Sequence, residues 1–139
     1  MDDQLLFLMS KAQHTLKNYL KRQFTAGGVA ISPAQSGILF SLKSRNGLSM
    51  NQLSELISVD NAAVTRHVDI LERNGMVTRK QVPDDRRKYL IYITDKGIAE
   101  ADKSKVIARR VNNMLKEGFS EDEIEIFKGI LSSFFIKFK

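Results

Sequence analysis

The sequence predicts a mainly helical fold carrying one small β-hairpin, in the α+β class. Three observations predict it. Apolar residues recur at three- and four-residue steps along several segments of the 139-residue chain. Two runs rich in β-branched and aromatic residues, Met76–Val82 and Tyr89–Ile93, break that period once and stand close together in sequence. Ser32, Ser49 and Ser120 each precede a Gln or Glu by three residues, the spacing of a capping box that starts a helix.

Each element follows in order. A first helix is predicted from about Asp3 to Phe24, with Leu5, Met9, Ala12, Leu16 and Leu20 recurring along it, and Ala26-Gly27-Gly28 ends it. Ser32-Pro33-Ala34-Gln35 opens a second, because proline fits the first helical position, where its missing N–H has no partner in any case. Ile38, Leu39 and Leu42 form its apolar face, and Asn46-Gly47 stops it. Ser49 opens a short third helix through about Ile57. Asp60 can cap a fourth, which runs to about Arg73. Asn74-Gly75 closes that helix, since glycine accepts the left-handed conformation without a side-chain clash. The two strand-like runs come next, separated by Pro83-Asp84-Asp85-Arg86-Arg87-Lys88, which has the composition of a charged, turn-forming loop. Thr94 then caps a long helix from about Asp95 to Lys116, Gly118 breaks it, and Ser120 opens a last helix reaching almost to Lys139. The acidic run Glu121-Asp122-Glu123 sits in that helix's first turn, where the helix dipole favours negative charge, and it needs no metal.

Composition narrows the chemistry. The 22 basic against 16 acidic residues leave a net charge of +6, which favours a polyanionic partner. There is no cysteine, so disulfides, thiolate metal sites and cysteine redox sensing are excluded. No apolar run approaches the ~18 residues of a membrane span. The start Met-Asp-Asp shows no basic segment before an apolar one, so neither a signal peptide nor a membrane partner is expected, and a cytoplasmic location is. His14 and His67 lie far apart, without cysteine or a clustered carboxylate, so no zinc site is expected. His67 falls at the flank of a buried face, as a packing or phosphate-contacting residue. With no nucleophile elbow, phosphate-binding loop or His-Glu-x-x-His motif, neither enzyme activity nor a cofactor is expected.

Two short helices joined by a tight turn and followed by a hairpin describe a winged helix-turn-helix. At 100° per residue, Val64, Val68 and Leu71 of the fourth helix face the core, and Ala62, Thr65, Arg66, Asp69 and Arg73 face away. That outer face suits a DNA major groove. Ala62 permits close approach, Asn61 and Thr65 can bond base edges or backbone oxygens, and Arg66 can pair with guanine or phosphate. Asp69 would repel phosphates unless Arg66 or Arg73 pairs with it. The loop Pro83–Lys88 forms the wing, whose Arg86, Arg87 and Lys88 can enter a minor groove. Asp85 can hold the arginine two residues later. The alternative is a winged-helix module for protein partners, without DNA binding.

The stretch from Ser49 to Gly97 resembles the MarR family of regulators. It reads Leu-Ser-Met-Asn-Gln-Leu-Ser-Glu-Leu, then Val-Thr-Arg-His-Val-Asp-Ile-Leu-Glu-Arg-Asn-Gly-Met-Val-Thr-Arg, then Pro-Asp-Asp-Arg-Arg-Lys-Tyr-Leu-Ile-Tyr-Ile-Thr-Asp-Lys-Gly. The family's Asp-x-Arg wing motif falls on Asp85 and Arg87. Its Leu-Thr-x-x-Gly signature falls on Ile93-Thr94-Asp95-Lys96-Gly97, with isoleucine in place of leucine. The resemblance implies a homodimeric repressor that binds double-stranded DNA at a pseudo-palindromic operator, with Arg87 as the minor-groove arginine and Asp85 as its tether. It implies a chain divided into an N-terminal dimerisation helix (1–31), a DNA-binding domain (32–97) and C-terminal dimerisation helices (98–139). It also implies release by a small anionic or aromatic effector, toward which Lys17, Tyr19 and Lys21 are candidates. The last helix supports the dimer independently: Ile126, Phe127, Ile130, Phe134, Phe135 and Ile136 cover more than one narrow stripe, as an interface does.

Overall fold

The computed structural model describes residues 4–139. The chain divides into two compact units, Met1–Ile107 and Ala108–Lys139. The order of elements is α1 (Leu5–Ala26), α2 (Pro33–Ser44), β1 (Leu48–Ser49), α3 (Met50–Ile57), α4 (Asn61–Arg73), β2 (Val77–Val82), β3 (Asp85–Ile93), α5 (Asp95–Lys116) and α6 (Glu121–Lys137). Asp3, the expected start of the first helix, lies outside the described residues.

Helix starts follow the predicted caps. Ser32 and Ser49 each accept a hydrogen bond from the backbone N–H three residues on, at 3.2 Å, while the Oε1 of Gln35 and of Gln52 accepts one from the cap residue's own N–H. Asp60 accepts from the Ala63 N–H at 2.8 Å. The end of α4 is closed at Gly75, whose φ of +74° is the left-handed conformation expected there.

The predicted apolar faces of α2 and α4 lie in the core of the first unit. Ile38, Leu39 and Leu42 of α2, Leu53 of α3, and Val64, Val68 and Leu71 of α4 are fully buried together with Leu48, Val77 and Ile91 of the sheet. Each such side chain contributes about 1.5–3 kcal/mol by leaving water.

The sheet is antiparallel with strand order β1-β3-β2. Leu48 of β1 pairs with Ile91, so β3 is central. The sequence did not announce β1, because two residues are too few to display an alternating pattern. The hairpin also differs from expectation. The run Pro83–Lys88 is not a loop: the turn is Pro83-Asp84, and β3 already begins at Asp85. Arg86, Arg87 and Lys88 are therefore strand residues. The Tyr89–Gln81 and Asp85–Val82 pairs flank them with no intervening residue on β2, so all three bulge out of the ladder.

The base of the hairpin is welded to the start of α5. The Thr94 N–H donates to the Met76 carbonyl (3.0 Å), and its hydroxyl donates to the Gly75 carbonyl (2.7 Å). That same hydroxyl accepts from the Gly97 N–H at 3.1 Å. A Cβ added at Gly97 would collide with the Met76 carbonyl oxygen and approach Ile93 Cγ1 to 2.8 Å, so only glycine permits this closeness. Farther along α5, the buried carboxylate of Glu100 accepts from the Ala30 N–H and lies 3.7 Å from Lys103 Nζ.

In the second unit, Ser120 and Glu123 form the third capping box. The backbone N–H and then the hydroxyl of Ser120 hold the Glu123 carboxyl below the usual carboxylate range. No residue of α6 is buried, and Phe127, Ile130, Phe135 and Ile136 are all exposed. In the first unit, Leu5, Leu6, Phe7, Leu8 and Met9 of α1 are exposed as well.

One polar contact ties α2 to α4. Gln35 is buried, and its Oε1 already accepts from the Ser32 N–H. Its Nε2 lies 3.3 Å from His67 Nδ1 and must donate to it, so that nitrogen carries no proton. Burial and then the Arg66 charge push the His67 pKa below its ordinary value of 6.5. Folding therefore favours the neutral ring. The unfolded chain binds more protons near and below that value, so stability rises with pH through this window and levels off above it. Thermal unfolding at about pH 7.5 and about pH 5.5 is expected to show a larger acid-induced loss of Tm in the wild type than in His67→Asn. Equal losses in both would contradict a neutral, Gln35-bonded His67.

Candidate nucleic-acid interface

The position of α4 is set by the turn before it. Ser58 adopts the left-handed conformation (φ 55°), and the Val59 N–H then donates to the Ser54 carbonyl at 3.2 Å. Val59 packs on the core, which fixes where α4 begins. Val64, Val68 and Leu71 are buried, as the helical angle predicts, and Ala63 joins them; Ala62, Thr65, Arg66 and Arg73 are exposed, as is Asn61, while Asp69 is only partly exposed.

The exposed residues differ in what they have to offer. Thr65 donates its hydroxyl hydrogen to the Asn61 carbonyl at 2.8 Å, which leaves the oxygen able to accept. Asn61 Nδ2 donates to Asn51 Oδ1 at 2.8 Å, tying the start of α4 to α3. Ala62 presents only a methyl group. Arg66 and Arg73 enter none of the ion pairs among the described residues, so both guanidinium groups face solvent with their donors unspent on carboxylates. His67 is half-buried and turned to Gln35, a packing residue at the flank of the face.

Asp69 finds a partner, but not one of the two expected. Its carboxylate pairs with Arg79 of β2, which also holds Glu72 through a 3.3 Å Nε–Oε1 contact. Sequence spacing could not reveal this, because no period links a helix residue to a strand residue across a turn. Lys80, the next residue of β2, stacks its ammonium 4.8 Å from the centre of the Tyr92 ring.

The wing presents the predicted basic group. Asp85 Oδ1 accepts from the Arg87 N–H at 3.0 Å and lies 3.6 Å from Arg87 Nε. The tether leaves the arginine side chain 94% exposed, so it steers the group without burying it. Gln81 Nε2 donates to the Arg86 carbonyl at 2.7 Å, bracing the bulge from the opposite strand. The bulge turns Arg86, Arg87 and Lys88 outward with no acidic partner other than Asp85 among the described residues.

His14 is exposed and lies 3.0 Å from the side-chain amide of Asn18, one turn along α1. No group of three or more His, Cys, Asp or Glu side chains among the described residues is arranged to hold a metal ion. No helix among them is long and apolar enough to cross a membrane.

Comparison with known proteins places this geometry. Residues 31–89 match the model of the MarR family, a segment that holds the helix-turn-helix and most of the wing. The uncharacterized HTH-type transcriptional regulator YdgJ of Bacillus subtilis (strain 168) is 31% identical over 102 residues, covering 73% of this chain. The HTH-type transcriptional regulator BilQ of Clostridioides difficile (strain CD3) is 34% identical over 86 residues, covering 62% of this chain. The chain spans 62% of YdgJ's length and 57% of BilQ's. Among solved structures, a probable transcriptional regulator from Pseudomonas aeruginosa superposes with a TM-score of 0.80 at 28% identity, over 95% of this chain and 97% of that one. The helix-turn-helix and most of the wing thus lie in a segment that matches the MarR family, and the fold as a whole is similar to that of a solved transcriptional regulator.

Proposed function

We propose that this protein is a DNA-binding transcription regulator that reads a pseudo-palindromic operator as a homodimer and acts as a repressor. One observation carries the reading: two basic elements, the outer face of α4 and the bulged wing of β3, offer exposed arginines (Arg66, Arg73, Arg86 and Arg87), and only Arg87 meets a carboxylate. In this reading α4 enters the major groove. Ala62 lies against the bases, Asn61 and Thr65 bond base edges or backbone, and Arg66 and Arg73 take guanine or phosphate. Asp85 aims Arg87 into the neighbouring minor groove, with Arg86 and Lys88 beside it on the phosphates. The same fold occurs on a 23-mer DNA duplex in the transcriptional repressor CouR, which superposes with a TM-score of 0.82 at 24% identity over 93% of this chain and 90% of that one. Such a regulator works beside bacterial DNA, in the cytoplasm, and performs no catalysis.

The exposed apolar surfaces of α1 and α6 belong to the dimer in this proposal. Large exposed apolar side chains on a folded protein mark an interface, and a two-fold axis sets the same residues of both copies to work. Residues 1–31 and 98–139 then serve dimerisation, and 32–97 DNA binding. Release by a small anionic or aromatic effector completes the proposal. A shallow, open crevice in the first unit, lined by Phe40, Lys43, Ser44 and Lys105, sets two cations beside one aromatic ring. Lys43 there is already paired with Asp102.

Affinity for a random-sequence duplex is expected to fall steeply with salt through counterion release, and Arg87→Ala to reduce the log–log slope by about 1. On an operator duplex, Arg66→Ala is expected to cost about 1–3 kcal/mol and to relax sequence choice. Salt-independent binding would favour a module for protein partners instead. Sedimentation is expected to give a dimer for the wild type and a folded monomer for Phe127→Asp/Ile130→Asp. A monomeric wild type at micromolar concentration would remove the dimer from the proposal.

A further inference from the structure

The recognition helix carries a carboxylate where a DNA-binding face should not. Asp69 lies one turn beyond Thr65 and one turn before Arg73, on the side of α4 that looks outward, and its side chain is 47% exposed. Glu72, three residues on, is 44% exposed. Left alone, the two would set a charge of −2 beside any approaching phosphate. Neither Arg66 nor Arg73 closes on them, although both share the helix.

Arg79 does. It is the third residue of β2, opposite Ile91 of the central strand, and its side chain is only 22% exposed. Its terminal nitrogen takes Asp69, and its Nε, buried without a full hydrogen bond, faces Glu72 at 3.3 Å. One guanidinium thus bridges two carboxylates of the recognition helix from the base of the wing. Asn74-Gly75 reverses the chain between them, which brings a residue of the strand onto the helix. Arg66 and Arg73 are left unspent by this arrangement.

We propose that Arg79 is a positioning residue that acts through Asp69 and Glu72: it screens their charge from the nucleic acid and keeps Arg66 and Arg73 available to contact it. The inference rests on the DNA-binding reading given above. It separates two roles that a single ion pair normally confounds. A purely mechanical clamp between wing and helix needs the forked geometry of arginine. A screen needs only a positive charge beside the two carboxylates, or no carboxylates at all.

The experiment is anisotropy titration of a short random-sequence DNA duplex at low salt, with circular dichroism and Tm recorded for each variant. A random duplex suffices because screening acts on phosphates and not on bases. Arg79→Gln is expected to weaken binding about tenfold, the scale of adding one unit of like charge near a few phosphates. Arg79→Lys is expected to bind within about threefold of wild type. The triple variant Asp69→Asn/Glu72→Gln/Arg79→Gln, which has neither the clamp nor the charges, is expected to bind at least as tightly as wild type, since the local charge rises from −1 to zero. Weak binding that persists in the triple variant, or Arg79→Gln binding as tightly as wild type, would overturn the screen. Should Arg79→Gln fold poorly, Arg79→Lys against the triple variant decides the same question, since a clamp predicts that both are weak. Wild-type binding that ignores salt would instead sink the DNA-binding reading itself, so the two failures are distinguishable.

Discussion

Burial of Val64, Val68 and Leu71 is the constraint on which the rest of the interface depends. These three side chains are 0% exposed, and they recur at the four- and three-residue steps of one helical stripe. Once that stripe is packed against α2, α3 and the sheet, the helix has no rotational freedom left. Ala62, Thr65, Arg66, Asp69 and Arg73 must then point outward, whatever they do there. The chemistry of the outer face is thus a consequence of hydrophobic packing on the inner one. A single polar substitution on the stripe would disturb both together.

The hairpin is held to the same frame by different means. Its central strand contributes Ile91 to the core, and Thr94 with Gly97 fastens its base to the start of α5. The Arg79 bridge then joins the base of the wing to the far half of the recognition helix. Only the tip is left without such anchors, and there the irregular register between Gln81 and Val82 lets Arg86, Arg87 and Lys88 turn outward. Rigid attachment at the base and basic residues at the tip are the two requirements for a probe that must follow the contour of a groove.

Much of this was legible in the sequence because it is local. Three capping boxes, the Asp60 cap, Pro33 and Gly75 each act within one helical turn, and the structure places the starts of α2, α3, α4 and α6 beside the four caps. The buried stripe of α4 was legible because its period is a property of the helix alone. The extent of β3 was not, since Pro-Asp-Asp-Arg-Arg-Lys has the composition of a turn and only pairing across the hairpin makes its second half a strand. The partner of Asp69 was hidden for a related reason: Arg79 lies ten residues away, past a chain reversal, where no helical spacing applies. The angular position of His67 fits a packing or a phosphate-contacting residue alike, and its bond to Gln35, 32 residues away on another helix, has no sequence signature.

The most direct measurement is enrichment of bound sequences from a random pool of duplex DNA. The proposed symmetric dimer, presenting an outward-facing α4 and a basic wing twice, predicts an inverted repeat whose half-sites lie about 34–36 Å apart, one helical turn. Enrichment of no sequence at all, from a folded protein retained at low salt, would contradict the claim that this face reads bases.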